Sequence, residues 1–286
     1  MSINIDGYQC CLIGHGFALY VLNTYCEIFE KVGKVKNLYL TTSQPPPVNS
    51  ITNCELDWWP SDSEDSFRRL MAEPSWRTYV ESQGWDRPGA ITYRFNSMGY
   101  RGDEPKWNRP LLMVFGCSLT MGIGLPQHQT WPWLVGEQLN LEVVNFSMGG
   151  MSADWCFRMA EFWVPSRRPS LAVMLAPPHE RLEIVTNNEL TGLTCSVHDS
   201  HGHDQFLKTF FLYNENIRQN NIKNKLAFAA LCNHVGIQAL CYDSYHWFAK
   251  SREEIGYARD WMHAGPPGHK LLADKIIDDW NEIKHT

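Results

Sequence analysis

The sequence has no long hydrophobic run. Across its 286 residues every apolar stretch is too short to cross a bilayer, so no membrane span is expected. Basic charge is also sparse: 25 Lys and Arg stand against 31 Asp and Glu, the formal net charge is −6, and no dense Lys/Arg cluster occurs. That balance argues against nucleic acid as the main partner. A disulfide framework is missing as well, since the nine cysteines are scattered without a repeated Cys-x-x-Cys spacing. An odd count without a framework favours reduced thiols or buried small hydrophobes. The opening residues, Met1-Ser2-Ile3-Asn4-Ile5-Asp6, lack the basic start and apolar core of a signal peptide. These absences lead to the expectation of a soluble protein in a reducing cytoplasm. No internal repeat is visible.

What is present is material for a globular protein, 44% apolar and 20% charged, long enough for one large α/β domain plus an appended element. Residues 8–14, 17–32 and 35–41 read as strand, helix and strand. Gly14-His15-Gly16, between the first two, lacks the third glycine and the later ribose-binding acid of a dinucleotide site and reads as a tight turn. Residues 42–63 are rich in Pro, Ser and Asn, include Pro45-Pro46-Pro47, and read as a linker or extended crossing segment. Residues 66–83 look irregularly helical, interrupted at Pro74, and 92–95 read as a short strand. Beyond that the pattern becomes regular. Strands expected at 111–115, 141–146, 171–176 and 237–242 alternate with helices at 129–140, 153–162 and 214–235, and a last helix covers 271–283. Such alternation implies a parallel sheet covered on both faces. The expected division is an N-terminal extension or small α/β subdomain over 1–95, with its Pro-rich linker, and a main domain over 96–286.

The most informative segment is Gly116-Cys117-Ser118-Leu119-Thr120-Met121-Gly122-Ile123-Gly124, directly after the apolar run Leu111-Leu112-Met113-Val114-Phe115. A hydroxyl residue at the carboxyl end of a strand sits where open α/β sheets bind ligands. The flanking glycines permit tight turns and keep side chains away from Ser118. The competing reading is a turn serine that caps the next helix. Far downstream, Asp260-Trp261-Met262-His263 leads through Ala264-Gly265-Pro266-Pro267-Gly268-His269 into the last helix. A serine hydroxyl needs a base to become a useful nucleophile, and neutral imidazole is the usual one. The imidazole in turn needs an acceptor to fix its tautomer and stabilise its charged form. An aspartate three residues earlier can supply that acceptor locally, so Ser118, Asp260 and His263 form a candidate triad. Arg259 competes as a surface ion partner for Asp260. Cys117 is expected to point away from Ser118 as a buried small hydrophobe, and His269 to play a structural part in the first turn of the last helix.

With these blocks placed, residues 96–284 resemble the SGNH hydrolases, also called GDSL esterases and lipases. The family's Gly-Asp-Ser-x-Thr-x-Gly-x-Gly block corresponds to positions 116–124, with Cys117 in place of the aspartate. The resemblance implies that Ser118 is the nucleophile and that its backbone N–H contributes to the oxyanion hole. Asn145-Phe146-Ser147-Met148-Gly149-Gly150 looks like the second block, which implies Gly150 N–H as the next oxyanion donor, with Gly149 the competing choice. Asp260, His263, Gly268 and His269 match the last block, and Asn96-Ser97-Met98-Gly99-Tyr100-Arg101-Gly102 resembles a lead-in found in some members. The third block departs from the pattern: in place of Gly-x-Asn-Asp stands Ala176-Pro177-Pro178-His179-Glu180-Arg181. Proline offers neither an amide side chain nor an N–H, so one oxyanion donor is absent or replaced. Losing such a donor costs on the order of a hundred- to a thousand-fold in turnover. His179, Arg181 and, further on, Asn187 are the candidate substitutes.

One run, His198-Asp199-Ser200-His201-Gly202-His203-Asp204, carries side chains that suit zinc or manganese. Its density of polar residues and glycine reads instead as a solvated loop with a lid or substrate-contact role, so neither a metal nor a cofactor is expected. Twelve tryptophans are many for this length. Packing accounts for most of them, and Trp261, inside the Asp-x-x-His block, is the one expected to border the site. The resemblance implies a three-layer α/β/α sandwich with a mainly parallel, flavodoxin-like sheet. It also implies hydrolysis of small acyl esters, such as O-acetyl groups on glycans, through an acyl-enzyme. The alternatives are a catalytically weak or inactive protein of the same fold used for binding or assembly, for example on glycans or in a virus particle, and an O-acyltransferase.

Overall fold

The structure, a computed structural model, describes residues 2–5, 8–11, 51–87, 89–186, 189–194 and 214–285. By its contacts the chain divides into Met1–Gln44 and Pro45–Thr286. In the first unit the described residues form a hairpin, β1 (Ser2–Ile5) antiparallel to β2 (Tyr8–Cys11), with Ser2 opposite Cys11. The helix and second strand expected at 17–41, and the Gly14-His15-Gly16 turn, lie outside the described residues.

The second unit opens with β3 (Cys54–Leu56), which pairs antiparallel with β4 (Tyr93–Phe95). Between them run α1 (Glu64–Leu70) and α2 (Pro74–Ser82). Ser63 caps α1 by accepting from Ser66 N–H at 3.2 Å, and acids in its first turn face the positive helix end. Pro74 starts α2 rather than breaking a longer helix, because the first helical position has no N–H bond to lose.

The central sheet follows. Its strands are β5 (Leu111–Phe115), β6 (Glu142–Asn145) and β7 (Leu171–Ala176). Outside the sheet a hairpin of β8 (Arg181–Thr186) and β9 (Glu189–Thr194) comes next, and β10 (Gln238–Asp243) is the fourth sheet strand. All pairings in the sheet are parallel and the spatial order is β10-β7-β5-β6, the flavodoxin-like order that the resemblance implies. The sheet helices are α3 (Ser118–Met121), α4 (Trp131–Leu139), α5 (Ala153–Arg167) and α6 (Asn214–His234). The short α7 (Ser244–Phe248) and α8 (Arg252–Ile255) precede the closing α9 (Pro266–His285). No helix of the described residues is long and apolar enough to cross a membrane.

Side chains of successive strand residues point to opposite faces, and both faces of the two central strands, β5 and β7, are buried. Leu111, Met113 and Phe115 of β5 join Ala172 and Met174 of β7 under α5 and α6, with Met159, Val164 and Phe228. Leu112, Val114, Leu171, Val173 and Leu175 face α4 and α9, with Trp131, Val135, Leu272 and Ile276. That arrangement explains why the strands read as unbroken apolar runs. A third cluster joins Trp76, Val80, Trp85, Ile91, Tyr93 and Phe95 to Met121, Ile123, Leu125 and Ala258. Residues 51–95 thus pack into the body of the second unit, and the break near residue 44 differs from the boundary at 95/96 expected from the sequence.

Candidate active site

Strand β5 delivers Ser118 to the carboxyl end of the sheet. Its neighbours there are β6 on one side and β7 on the other, so the chain leaves β5 one way and returns the other. This is the topological switch point, where open α/β sheets form a crevice. The turn into α3 is so tight that a Cβ at Gly116 would lie 2.0 Å from Thr120 Oγ1 and 3.2 Å from the Leu175 carbonyl oxygen. Cys117 occupies the N-cap position and Ser118 the first turn of α3. Ser118 is 7% exposed and Cys117 is buried. The hydrogen-bonding neighbour of Ser118 Oγ is the Cys117 sulfur at 3.9 Å.

The Asp260–His263 segment forms the pair the sequence pointed to. Asp260 Oδ2 lies 2.5 Å from His263 Nδ1, and Oδ1 accepts from both Met262 N–H and His263 N–H at 3.0 Å. The carboxylate side chain is 0% exposed. Wrapping the chain around it places Trp261 in the left-handed region at φ 59°, uncommon for a bulky residue. Engagement of Nδ1 by the carboxylate favours the tautomer with its proton on Nδ1. Arg252 closes the loop from outside, its guanidinium donating to the carbonyls of His263 at 3.1 Å and Met262 at 2.9 Å. Among the described residues no hydrogen bond joins His263 to Ser118 Oγ. In unliganded sites such bonds are often long and tighten only with substrate.

The two loops touch through their backbones. Arg259 N–H donates to the Gly124 carbonyl at 2.9 Å. Gly124 has φ +77°, and a Cβ there would meet Ala258 Cβ at 2.8 Å, so only glycine allows this approach. Arg259 is not the surface partner of Asp260 that the sequence allowed for. It is 2% exposed and paired with Asp62, Nη2 to Oδ2 at 2.7 Å and Nε to Oδ1 at 3.0 Å. The Asp57 carbonyl takes a further bond from the guanidinium at 3.0 Å. Burial pushes the Asp62 carboxyl up from the usual range, with the Arg259 contact pulling the other way.

Arg101, part of the lead-in that carried no assigned chemistry, has a clear structural task. Its buried guanidinium donates to the carbonyls of Met121 at 3.0 Å, Gly122 at 2.5 Å, Leu125 at 2.7 Å and Thr92 at 3.0 Å. It also lies 4.5 Å from the centre of the Tyr93 ring. Burial lowers it to about 10. Arg101 therefore shapes the loop that follows Ser118. The only sequence signal was its place in the Asn96-to-Gly102 motif.

Of the oxyanion candidates, Ser118 N–H sits at the start of α3, and Gly150, at φ +82°, lies in the loop after β6. Asn145 ties that loop to α3, donating to the Thr120 carbonyl at 3.0 Å and accepting from Ser147 N–H at 3.1 Å. Gly149 is crowded: a Cβ there would meet Ile123 Cδ1 at 3.3 Å and Trp59 Nε1 at 3.5 Å. Arg181 reaches this loop, Nη1 donating to the Met151 carbonyl at 3.4 Å. His179 turns elsewhere, its Nε2 3.6 Å from Glu180 and its ring 5.3 Å from that of Tyr245. Pro177 offers its carbonyl to the buried Asn221 side chain at 2.9 Å. Asn187 and the 198–204 run lie outside the described residues, and no cluster of three or more potential metal ligands occurs among the described ones.

His269 lies in the first turn of α9, as expected, fully buried. Its Nδ1 accepts from Trp131 N–H, at the start of α4, at 3.1 Å. Burial first, then the nearby charges of His263 and Arg101, push it down to about 3. Trp261 is 39% exposed and stacks on Trp76 with ring centres 5.0 Å apart, so it lines the outside of the Asp260–His263 loop.

No protein-family model and no curated protein matches the chain. Solved structures do. An acetyl xylan esterase, Est2A, from Butyrivibrio proteoclasticus matches over 65% of this chain and 67% of its own, at 11% identity and a TM-score of 0.36. The psychrotrophic esterase EstA from Pseudoalteromonas sp. matches over 62% and 99%, at 10% identity and a TM-score of 0.34. A G-D-S-L family protein from Desulfitobacterium hafniense matches over 58% and 97%, at 12% identity and a TM-score of 0.33.

Proposed function

We propose that the protein is a serine hydrolase acting on small acyl esters, with Ser118 as nucleophile, His263 as base and Asp260 as its orienting acid. The observation that carries this reading is the buried Asp260–His263 pair, its carboxylate held by two further N–H donors. The loop bearing it is bonded directly to the loop that follows Ser118. A surface histidine satisfied by chance has no need of a fully enclosed carboxylate. In the proposed reaction His263 Nε2 takes the Ser118 proton as Oγ attacks the ester carbonyl. The amides of Ser118 and Gly150 hold the resulting oxyanion. His263 then protonates the departing alcohol and activates water to release the acid. O-acetyl groups on glycans are the preferred substrates on the resemblance in sequence, and transfer to a second alcohol in place of water is the same chemistry with another acceptor.

A fluorophosphonate probe tests it. The wild-type protein is expected to be labelled at Ser118 and to hydrolyse p-nitrophenyl acetate, and Ser118→Ala to do neither. A folded wild-type protein that takes no label and cleaves no acetyl ester would return the reading to a binding protein of this fold.

A further inference from the structure

We infer that Asp62 is a positioning residue, one that sets the acid–base loop against the nucleophile loop through a closed ring of buried hydrogen bonds. The ring starts at Gly124, whose N–H donates to Tyr93 Oη at 2.8 Å. The Tyr93 hydroxyl donates to Asp62 Oδ2 at 2.6 Å. Asp62 accepts from Arg259 Nη2 at 2.7 Å and Nε at 3.0 Å. Arg259 N–H then returns to the Gly124 carbonyl at 2.9 Å, which closes the circuit on the residue where it began.

The placement of this ring is what gives it a consequence for chemistry. Gly124 ends the glycine-framed segment that carries Ser118, and Arg259 is covalently next to Asp260. Asp62 and Tyr93 belong to neither loop and make no hydrogen bond to Ser118, Asp260 or His263. All of Asp62, Tyr93 and Arg259 are buried. Breaking one partner of such a pair leaves an uncompensated charge inside the protein, which costs far more than losing a surface ion pair. Without Asp62 the Arg259 guanidinium keeps its bond to the Asp57 carbonyl but must seek solvent or another acceptor for its remaining donors. Either movement drags the residue beside Asp260, while the backbone bond to Gly124 and the packing of Ala258 against Ile123 and Leu125 are left to join the loops. Displacements of about 1 Å at a reacting centre can lower turnover roughly a hundred-fold.

The test rests on the hydrolase reading for its kinetics only, and proton NMR supplies a second readout that needs no turnover. Asp62→Asn keeps the shape and removes the charge. Tyr93→Phe removes both hydrogen bonds of the hydroxyl, to Gly124 N–H and to Asp62, while keeping a ring under Arg101. Both are expected to lower kcat on p-nitrophenyl acetate by about ten- to a hundred-fold, with KM little changed because neither residue meets substrate. The far-downfield proton on His263 Nδ1, a signature of its bond to Asp260, is expected to shift or broaden in both variants while the bulk spectrum stays native. The double variant is expected to be little worse than Asp62→Asn alone, since both act through one ring. Folded Asp62→Asn with wild-type kcat and an unmoved Nδ1 proton overturns the inference. Should Asp62→Asn fail to fold, Tyr93→Phe decides on the same two readouts. If the wild-type protein cleaves no ester, the hydrolase reading falls by itself and the Nδ1 proton still judges Asp62.

Discussion

Arg181 and His179 stand two positions apart in the segment where the sequence offers prolines, yet their side chains address different parts of the molecule. Arg181 bonds the carbonyl of Met151, the residue directly after Gly150, so its guanidinium is at the loop proposed to hold the oxyanion. His179 faces Glu180 and Tyr245. A fixed cation near a developing oxyanion stabilises it more than a neutral donor does. Arg181→Ala is therefore expected to lower kcat on a small acetyl ester by roughly a hundred-fold, with Arg181→Lys in between. His179→Ala should leave it near the wild-type value. Steady-state kinetics on the three variants decide this, and a wild-type kcat in Arg181→Ala would remove Arg181 as the substitute donor. At this scale the sequence was a good guide wherever the chemistry is local. Asp260 and His263 are three positions apart, so their spacing alone announced the pair. Asp62 and Arg259 are 197 positions apart, and nothing in either neighbourhood marks the other. Asp62 also lies in a stretch whose Pro, Ser and Asn content reads as a linker.

Among elements, the turn from β5 into α3 is the least tolerant. The Cβ that Gly116→Ala would add meets both Thr120 Oγ1 at 2.0 Å and the backbone oxygen of Leu175 at 3.2 Å. One obstacle is a side chain that can be cut back and the other belongs to β7. Gly116→Ala is expected to destabilise the protein by about 1–3 kcal/mol, in the range of other overpacked sites. Thr120→Ala in the same background should recover only part, because Thr120 Cβ stays at 2.6 Å. Urea unfolding measures both, and an unchanged midpoint in Gly116→Ala would show that the turn has room the geometry denies it. The strength of the sequence signal followed burial. Strands β5 and β7, buried on both faces, were visible as apolar runs with the bounds later observed. The β8–β9 hairpin was not, since its residues, including Arg181, Glu183 and Glu189, give no apolar run. Helix α5 continues to Arg167 through Pro165, past the end at 162 that its pattern suggested.

At the scale of the whole Pro45–Thr286 unit, two helices of one layer meet at His269. It belongs to α9, accepts from the first N–H of α4, and lies close enough to the Asp260–His263 loop to feel the charge of His263. Because burial holds its folded-state value at about 3 against an ordinary 6.5, the native protein keeps this imidazole neutral while the unfolded chain takes up a proton on acidification. Below the unfolded value the unfolded state therefore binds more protons, and stability falls as pH drops. The contribution is complete above about 6.5 and is lost progressively toward 3, at up to about 1.4 kcal/mol per pH unit for one group. His269→Gln keeps an acceptor for Trp131 N–H but cannot titrate. The variant is expected to be less stable than the wild-type protein at pH 7 and to lose less on going to pH 4.5, so that the two curves converge on the acid side. Urea midpoints taken across that range test this. Parallel curves would mean that the acid sensitivity of the fold comes from its carboxylates alone, and that His269 finds in the native state a partner able to share its proton.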